Sequence, residues 1–328
     1  MSAPGRRVLA FLAAIAALAV APCPAQAQSP WPTKPVRLIA VFPPGGSVDQ
    51  VARILAAQLS QQTGQPFVVE NRAGASGVIG TAAVAQAAPD GHTLGVVFDT
   101  HAVNPSLIPN LPFNTLRDLA PVMLVGTSPM AIVAHASQPY RNFRDVLAAA
   151  RTAPGSVAFG SIGSGSLGHL AMTQIGNLQG VEFNHVPYKG GGPLMTDAVG
   201  GQVPLSIGTV FLVNPHVRSG RLRALAVTSR APDAQMPGVA PVAEQGVAGF
   251  EALAWWGVFA PGATPPALAQ RIHEELAKAL KAPVVAEKLT AQGMDLVGGS
   301  PEVLDRFQRA EIERWAKVVR ENRIRAGD

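Results

Sequence analysis

The clue to the fold lies in one stretch, residues 35–59, which reads PVRLIAVFPPGGSVDQVARILAAQL. Its first part, residues 35–41, is rich in aliphatic residues and predicts a buried β-strand. A turn follows at residues 43–46, and the apolar residues after it recur at helical spacing. Ser47 followed three residues later by Gln50 matches a capping box, which predicts that Ser47 caps this helix. The stretch is therefore a strand, a glycine-rich turn and a helix in direct succession.

The same alternation continues along the chain. Aliphatic runs predict further strands at residues 67–70, 93–98, 122–125, 131–134, 157–160, 183–187, 205–208 and 222–228. Helical spacing predicts helices at residues 143–151, 169–178, 194–199, 265–281 and 301–322, with a mostly helical C-terminal part. Strands that alternate with helices over this length indicate an α/β fold with largely parallel sheets. Ligands of such folds bind beyond the carboxyl ends of the strands, in the loops that follow.

The composition narrows the functional classes. Charged residues make up 14% of the 328 residues, against about 25% in average proteins, and 33 glycines and 29 prolines are spread without a collagen period. Low charge with many aliphatic residues argues against a disordered chain. The net charge of +5 is not gathered into a basic run, so nucleic-acid binding is not expected. A single cysteine excludes a disulfide framework and a cysteine-cluster metal site.

Residues 1–27 have the layout of a secretory signal peptide. Arginines come first, residues 8–20 are apolar, and small residues precede a predicted cleavage site after Ala27. The apolar run is shorter than the roughly 20 residues that a membrane anchor needs. A lipoprotein signal would acylate Cys23, but Pro22 fits poorly before such a cysteine. We therefore expect export to the periplasm as a cleaved protein without membrane insertion.

Glycine-rich loops occur where strands lead into helices. Four of them matter, at residues 42–49, 99–105, 160–169 and 185–193. Backbone N–H groups at a helix start have no partner inside the helix, and together with the helix dipole they favour an anion. Glycine permits close approach of a ligand, and serine hydroxyls add donors. A tight turn followed by an ordinary helix cap would explain each loop by itself. Several such loops at the ends of strands, however, predict a site that holds a carboxylate by neutral hydrogen-bond donors.

Other functions have weaker signals. Residues 163–168 match the G-x-G-x-x-G dinucleotide fingerprint, but Glu182 lies at the start of the next strand and not at its end, so no dinucleotide cofactor is expected. A G-x-S-x-G nucleophile elbow does not occur, although Ser166 with His169 keeps a secreted serine hydrolase as the alternative function. The other histidines are scattered singly, so neither a metal nor a cofactor is predicted.

A set of short motifs extends over nearly the whole chain after residue 31. They are FPPGGS at 42–47 with Asp49, ENR at 70–72, HAVNPS at 101–106, GS at 160–161 with Ser166 and His169, HVPYKG at 185–190, LRALAVTS at 222–229 and GGSP at 298–301. Each motif is weak alone, but together they are specific. By them the chain resembles the Bug/TctC family, the periplasmic solute-binding receptors of tripartite tricarboxylate transporters.

The resemblance implies an α/β, two-lobe periplasmic-binding-protein fold of type II, a Venus flytrap with crossing hinge strands. Residues 28–126 and 251–328 would form the first lobe, and residues 127–250 the second. The resemblance also implies a non-enzymatic receptor that captures a small organic carboxylate and delivers it to the membrane permease of a tripartite tricarboxylate transporter. We expect the receptor to be a monomer.

Candidate ligand contacts follow from the same resemblance, because in the family the loop after the first strand and the Gly/Ser loop of the second lobe hold a carboxylate. The candidates are Phe42, Gly45, Gly46, Ser47, Asp49, His101, Ser161, Ser164, Ser166, His169 and Tyr188. Gly208 and Thr209 lie near positions where many members carry an acidic or amide residue. Without a carboxylate there to pair an ammonium group, we expect di- or tricarboxylates or aromatic acids to bind in preference to acidic amino acids.

Overall fold

The computed structural model describes residues 31–325, and the predicted signal peptide with Cys23 lies outside them. The strands of this range are β1 (Val36–Ala40), β2 (Phe67–Asn71), β3 (Thr93–Phe98), β4 (Leu119–His135), β5 (Ala158–Ser161), β6 (Asn184–Pro187), β7 (Leu205–Thr209), β8 (Leu222–Val227), β9 (Leu253–Pro261) and β10 (Asp295–Gly299). The helices are α1 (Ser47–Thr63), α2 (Val78–Ala85), α3 (Thr100–Leu107), α4 (Phe143–Thr152), α5 (Leu167–Gln179), α6 (Gly191–Val199), α7 (Val210–Arg218), α8 (Pro266–Lys281), α9 (Pro283–Thr290) and α10 (Pro301–Glu321). Short 3₁₀ helices lie at Ala75–Gly77 and Val242–Gln245.

The ten strands of residues 31–325 form one sheet. Eight of them are hydrogen-bonded in the order β2-β1-β3-β9-β4-β7-β5-β6, and β8 and β10 each pair with β4. The outer strands run parallel, since β1 pairs in parallel with β2 and β3, and β5 with β6 and β7. The pairings of β4 and β9 are all antiparallel. The α/β class is confirmed, whereas the expectation of largely parallel sheets is wrong for the centre, because long strands return there past one another.

The strand β4 is a single strand of 17 residues, where the sequence predicts two short ones. Up to Pro129 it pairs with β9, and from Met130 to His135 it pairs with both β7 and β8. Pro129 lacks an N–H group and falls where the partner changes, so the missing donor lies between the two ladders. This exchange divides the sheet into a first half (β1, β2, β3, β9 and β10) and a second half (β5 to β8). The predicted lobe boundary at residues 126 and 127 lies close to the exchange and stays a prediction.

The strand β9 was missed by the sequence analysis, which predicts a mostly helical C-terminal part. It is a continuous apolar run, and such a run has no periodicity that separates a strand from a buried helix. Neighbouring residues of a strand point to opposite faces. Trp255 accordingly packs edge-to-face on Phe307 of α10 at 5.5 Å, and Trp256 packs on Phe98 at 5.2 Å. Both indoles are fully buried, so the sheet is covered on both sides.

The helices lie against the sheet by one apolar side. The longest, α10, buries Leu304, Trp315 and Val319 and carries charged residues on its other side. The loop predicted at residues 99–105 is in fact mostly helix α3, which follows β3 directly. Between residues 31 and 325, none of the helices is both long enough and apolar enough to cross a membrane.

Truncation of Trp255 tests the packing of β9. Trp255→Ala removes a fully buried indole and leaves a cavity, so we expect the free energy of unfolding to fall by about 3–5 kcal/mol. Chemical denaturation followed by circular dichroism measures this loss. Leu178→Ala is the control, because Leu178 is 60% exposed and its truncation should cost less than about 0.5 kcal/mol. Equal losses for the two variants would contradict the packing described.

Candidate functional site

Three helices begin where the two sheet halves meet, and their first residues surround a central cavity. The helices α1, α6 and α7 follow the carboxyl ends of β1, β6 and β7. The cavity is lined by Phe42, Gly46, Ser47, Val48, Phe98, Met130, Ile162, Gly191, Gly208, Thr209 and Leu212. Its volume is about 10 Å³, which is room for about one water molecule. A larger ligand therefore requires the walls to move apart.

The N-terminus of α1 presents free donors to this cavity. Gly46 is the N-cap residue, its helix has no side-chain cap, and Ser47 is the first helical residue. The capping box predicted for Ser47 and Gln50 is wrong, because the helix starts at Ser47 itself and Gln50 Nε2 donates to the Gly45 carbonyl at 3.2 Å. Ser47 is only 7% exposed, it lines the cavity, and its Oγ has no hydrogen-bond partner among residues 31–325. This hydroxyl and the first-turn N–H groups are thus available to a ligand.

Asp49 fixes the loop that precedes α1. Its Oδ2 accepts the N–H of Gly45 at 3.0 Å, and its Oδ1 accepts from Asn71 Nδ2 at 2.9 Å and pairs with Arg53 at 2.9 Å. Burial would raise the pKa of Asp49, but the hydrogen bonds from Arg53, Gly45 and Asn71 outweigh it and hold that pKa below its ordinary value. Asp49 therefore acts as a positioning residue for Gly45, and its role as a direct ligand contact stays a prediction.

The helix α6 starts opposite α1, and glycines allow the two loops to touch. Gly190 is the N-cap residue of α6 at a φ of 131°, and a side-chain cap is lacking here too. Residues 190–192 pack on residues 43–46, a contact that we call the interloop contact. A Cβ atom on Gly192 would lie 2.5 Å from the Pro44 carbonyl oxygen, so only glycine permits this approach. Two uncapped helix N-termini are thereby brought to one cavity.

The third helix N-terminus, that of α7, is already capped. Thr209 Oγ1 accepts the N–H of Leu212 at 3.1 Å, and Ser128 Oγ accepts the N–H of Phe211 at 3.4 Å. Gly208 and Thr209 both line the cavity. Among the lining residues of the described chain none is charged, so whatever binds there meets neutral groups.

The Gly/Ser loop after β5 forms a separate hydrogen-bond network. Ser161 Oγ lies 2.7 Å from His185 Nε2 and accepts from Ser166 Oγ at 3.3 Å. Ser166 caps α5 by accepting the N–H of His169 at 3.4 Å, and His169 Nδ1 accepts the N–H of Gly165 at 3.1 Å. Ser161 of this loop is thus paired with His185 of β6. In the described part of the chain, Ser166 makes no hydrogen bond to the His169 imidazole, which the hydrolase hypothesis needs.

This network lies beside the cavity wall and stiffens it. The rings of His169 and His185 stack at 4.0 Å with an angle of 5° between their planes. The Ser164 carbonyl accepts from Ser76 Oγ at 2.9 Å, a bond that joins the two sheet halves. Of the whole loop only Ile162 lines the central cavity. The structure thus gathers the four candidates of this loop in one place outside the lining of the central cavity, and His169 with His185 lines a separate depression of about 250 Å³.

Two further candidates point elsewhere. His101 is buried in the first half with its ring 4.7 Å from that of Phe259, and burial lowers the pKa of His101 to about 4, which keeps the imidazole neutral. Tyr188 donates its hydroxyl to Asp197 at 3.0 Å, and burial together with that carboxylate raises the pKa of Tyr188 to about 12. Neither residue is among those that line the central cavity, and their roles as ligand contacts stay predictions.

Sequence reasoning did not name the apolar part of the lining, which is Val48, Phe98, Met130, Ile162 and Leu212. Their spacing is that of ordinary core residues, so it carries no signal of a site. Larger depressions lie on the surface, among them one of about 680 Å³ beside residues 105–118 and one of about 850 Å³ bordered by residues 43–45 and 192 of the interloop contact. Both are more open to solvent than the central cavity, and polar interactions strengthen as water is excluded.

An α/β chain whose two sheet halves share a long crossing strand and enclose a cavity has the fold of a periplasmic binding protein. The chain belongs to the TctC family, described as "Tripartite tricarboxylate transporter family receptor", whose sequence model matches residues 51–324. The resemblance inferred from the motifs is thereby confirmed. Protein BugT of Bordetella pertussis is 40% identical over 318 residues, which cover 96% of this chain and 97% of BugT.

Two solved structures of similar proteins hold carboxylates. Rpa4515 of R. palustris with adipate is 34% identical with a TM-score of 0.87, and the match covers 90% of this chain and 99% of the other. MatC (Rpa3494) from Rhodopseudomonas palustris with bound malate is 29% identical with a TM-score of 0.83, covering 88% and 100%. The family and these neighbours are binding proteins rather than enzymes.

Neutralising Asp49 tests its hold on the loop. We expect Asp49→Asn to lower the free energy of unfolding at pH 7 by about 1–3 kcal/mol, because charge-assisted bonds to Gly45, Asn71 and Arg53 weaken. A depressed pKa stabilises the fold above the unfolded-state value of about 3.9, and this contribution is lost as the pH falls through the lower folded-state pKa. Urea denaturation should show the difference between the two proteins shrinking below about pH 4. If the difference in unfolding free energy stays constant as the pH falls below about 4, the role of the Asp49 carboxylate in holding the loop is refuted.

Proposed function

We propose that this protein is a periplasmic receptor that captures a small organic carboxylate in the central cavity and delivers it to the membrane permease of a tripartite tricarboxylate transporter. One observation carries the proposal: α1 and α6 both begin without a side-chain cap at the same cavity. Their free N–H groups and positive dipole ends favour an anion. The adipate and malate held by similar proteins support a carboxylate.

Neutral donors suffice for the expected affinity. A micromolar dissociation constant corresponds to about 8 kcal/mol. Hydrogen bonds to a charged group contribute about 1.5–3 kcal/mol each, and Ser47 Oγ with the first-turn N–H groups of α1 and α6 supplies several. Burial of the rest of the ligand adds to this, so an arginine or lysine is not required.

Capture and release proceed by closure and opening of two lobes, which we assign to residues 28–126 with 251–328 and to residues 127–250. The strand β4, which pairs in both sheet halves, is the hinge. The interloop contact and the bond from Ser76 to Ser164 at 2.9 Å close the cavity. The hydrogen bonds from Asn177 to Asn322 at 2.7 Å and from Asn214 to the Ala291 carbonyl at 3.4 Å also join residues of the two lobes. Each such bond is worth only about 0.5–1.5 kcal/mol, so the closed form exchanges with an open one.

The receptor acts as a monomer without a cofactor and catalyses no reaction on its ligand, and residues 1–27 export it to the periplasm. Gly208 and Thr209 supply no carboxylate to pair an ammonium group. Di- and tricarboxylates or aromatic acids are therefore bound in preference to aspartate and glutamate. Tighter calorimetric binding of either amino acid than of malate, citrate and nicotinate would overturn this preference.

Removing one N–H donor tests the anion site. Ser47→Pro deletes the N–H and the hydroxyl at the first helical position, where proline is tolerated, and the extended ψ of 169° at Gly46 suits a following proline. For the tightest acid of a calorimetric panel we expect a roughly 10- to 100-fold loss of affinity, the effect of one or two bonds to a charged group. Ser47→Ala, which keeps the N–H, should lose less. Equal affinity of Ser47→Pro and the wild type refutes the site.

Adding one methyl group tests closure. In Gly192→Ala the new Cβ lies 2.5 Å from the Pro44 oxygen and keeps the interloop contact from forming. Because affinity scales with the population of the closed form, we expect a loss of about tenfold or more with an unchanged melting temperature of the ligand-free protein. Gly200→Ala, at the other end of α6 and at an ordinary φ of −77°, is the control and should bind as the wild type does. Wild-type affinity of Gly192→Ala would show that closure does not use this contact.

A further inference from the structure

The walls of the central cavity are apolar except at one end. Six of its side chains are hydrocarbon or thioether, namely Phe42, Val48, Phe98, Met130, Ile162 and Leu212. Phe42 and Phe98 meet edge to face with centroids 6.1 Å apart, and Phe98 packs in turn on Trp256. Both sheet halves contribute to these walls, so closure presses apolar surface onto whatever the cavity encloses.

The free polar donors are concentrated at the starts of α1 and α6. Ser47 is more than nine-tenths buried, lines the cavity, and has an Oγ without a partner in residues 31–325. The start of α7 offers much less, since its N–H groups at Phe211 and Leu212 are already bound by Ser128 and Thr209. The donors that remain are therefore enough for one carboxylate at one end of the cavity.

The nearest cationic side chains are kept out of the cavity. Arg53 of α1 pairs with Asp49 at 2.9 Å and is not among the lining residues. Arg221 lines the surface groove that borders the interloop contact, with Leu212 between that groove and the cavity. His216 lines the same groove, but burial lowers the pKa of His216 and favours its neutral ring. A second carboxylate enclosed here would lose its water and gain neither a cation nor a free helix N-terminus, which is strongly unfavourable.

We infer that the cavity selects a monocarboxylic acid with an apolar body, linear or aromatic, over di- and tricarboxylates. The inference rests on the proposed function and narrows its ligand class. The carboxylate lies at the starts of α1 and α6, and the body lies against Phe42, Phe98 and Leu212. Met130 has an unbranched, flexible thioether that repacks around bodies of different shape. Adipate and malate, which two similar proteins hold, are dicarboxylates, so the inference predicts a different preference for this chain.

Pairs of acids that differ in one group test the inference. The mature protein is titrated calorimetrically with hexanoate against adipate and with benzoate against terephthalate, so that each pair keeps its carbon body and differs in a second carboxylate. We expect the monoacid of each pair to bind at least about tenfold more tightly. Adipate or terephthalate binding as tightly as its partner overturns the inference and leaves the proposed function in place. Absence of binding by all four acids and by malate overturns both.

A cation introduced into the apolar wall should reverse the preference. Ile162 is half-buried, lines the cavity and packs against the core of the second half, so Ile162→Arg places a guanidinium at the wall and its melting temperature is compared with that of the wild type. We expect adipate to bind at least about tenfold more tightly and hexanoate more weakly than in the wild type. Val297→Arg adds the same charge on exposed β10, where Val297 is 45% exposed, and should leave the ratio of the two affinities unchanged.

A second variant guards against a folding defect in Ile162→Arg. Val48→Thr replaces a wall methyl by a hydroxyl of nearly the same volume, so the fold should be kept. Hexanoate and adipate carry the same methylene body, so both affinities should fall while the preference for hexanoate remains. No loss for either acid would contradict an apolar binding wall.

Discussion

The arrangement of the whole chain depends on the change of partner along β4. One strand is hydrogen-bonded into both halves of the sheet, with Pro129 at the point where β9 gives way to β7. Met130, the first residue of the second ladder, lines the central cavity. Strands on either side of it end at the same level, and their following helices therefore start around one point. The cavity is a consequence of this exchange.

The low fraction of charged residues in the chain agrees with the uncharged lining of its cavity. Only 14% of the residues are charged, and those nearest the cavity serve structure: Asp49 and Arg53 pair with each other and hold Gly45. A cleft that closed on an arginine would have to strip water from two ions, a cost that Coulombic attraction in a dry interior only partly repays. Backbone N–H groups carry no such cost, because they are already fixed and largely desolvated in the helix start. A receptor that must release its ligand gains from this arrangement.

The sequence predicts those features of the fold and site that are determined by residues close together in the chain. The strand, turn and helix of residues 36–63 follow from spacing within that stretch, and so do the glycine-rich loops. The antiparallel centre of the sheet is a long-range property, since β9 joins β3 and β4 from far along the chain. The hydrogen bond between Ser161 and His185 at 2.7 Å likewise joins two strands. Phe98 and Leu212 meet in the cavity only through the fold, and by spacing alone each is ordinary core.

Glycine and serine at the N-cap position have different effects on the free N–H groups of the helix. Ser166 and Thr209 cap α5 and α7 with their own side chains, which satisfies donors and closes those termini to a ligand. Gly46 and Gly190 occupy the same position in α1 and α6 and offer no side-chain oxygen, so the donors there remain free. Leaving these N–H donors without a side-chain partner lowers the stability of both helices. Stability therefore does not explain why two uncapped helix starts face the same cavity. An uncapped start alone does not mark a site, because α2, α8 and α9 also begin without a side-chain cap. What distinguishes α1 and α6 is that their uncapped starts meet at one cavity.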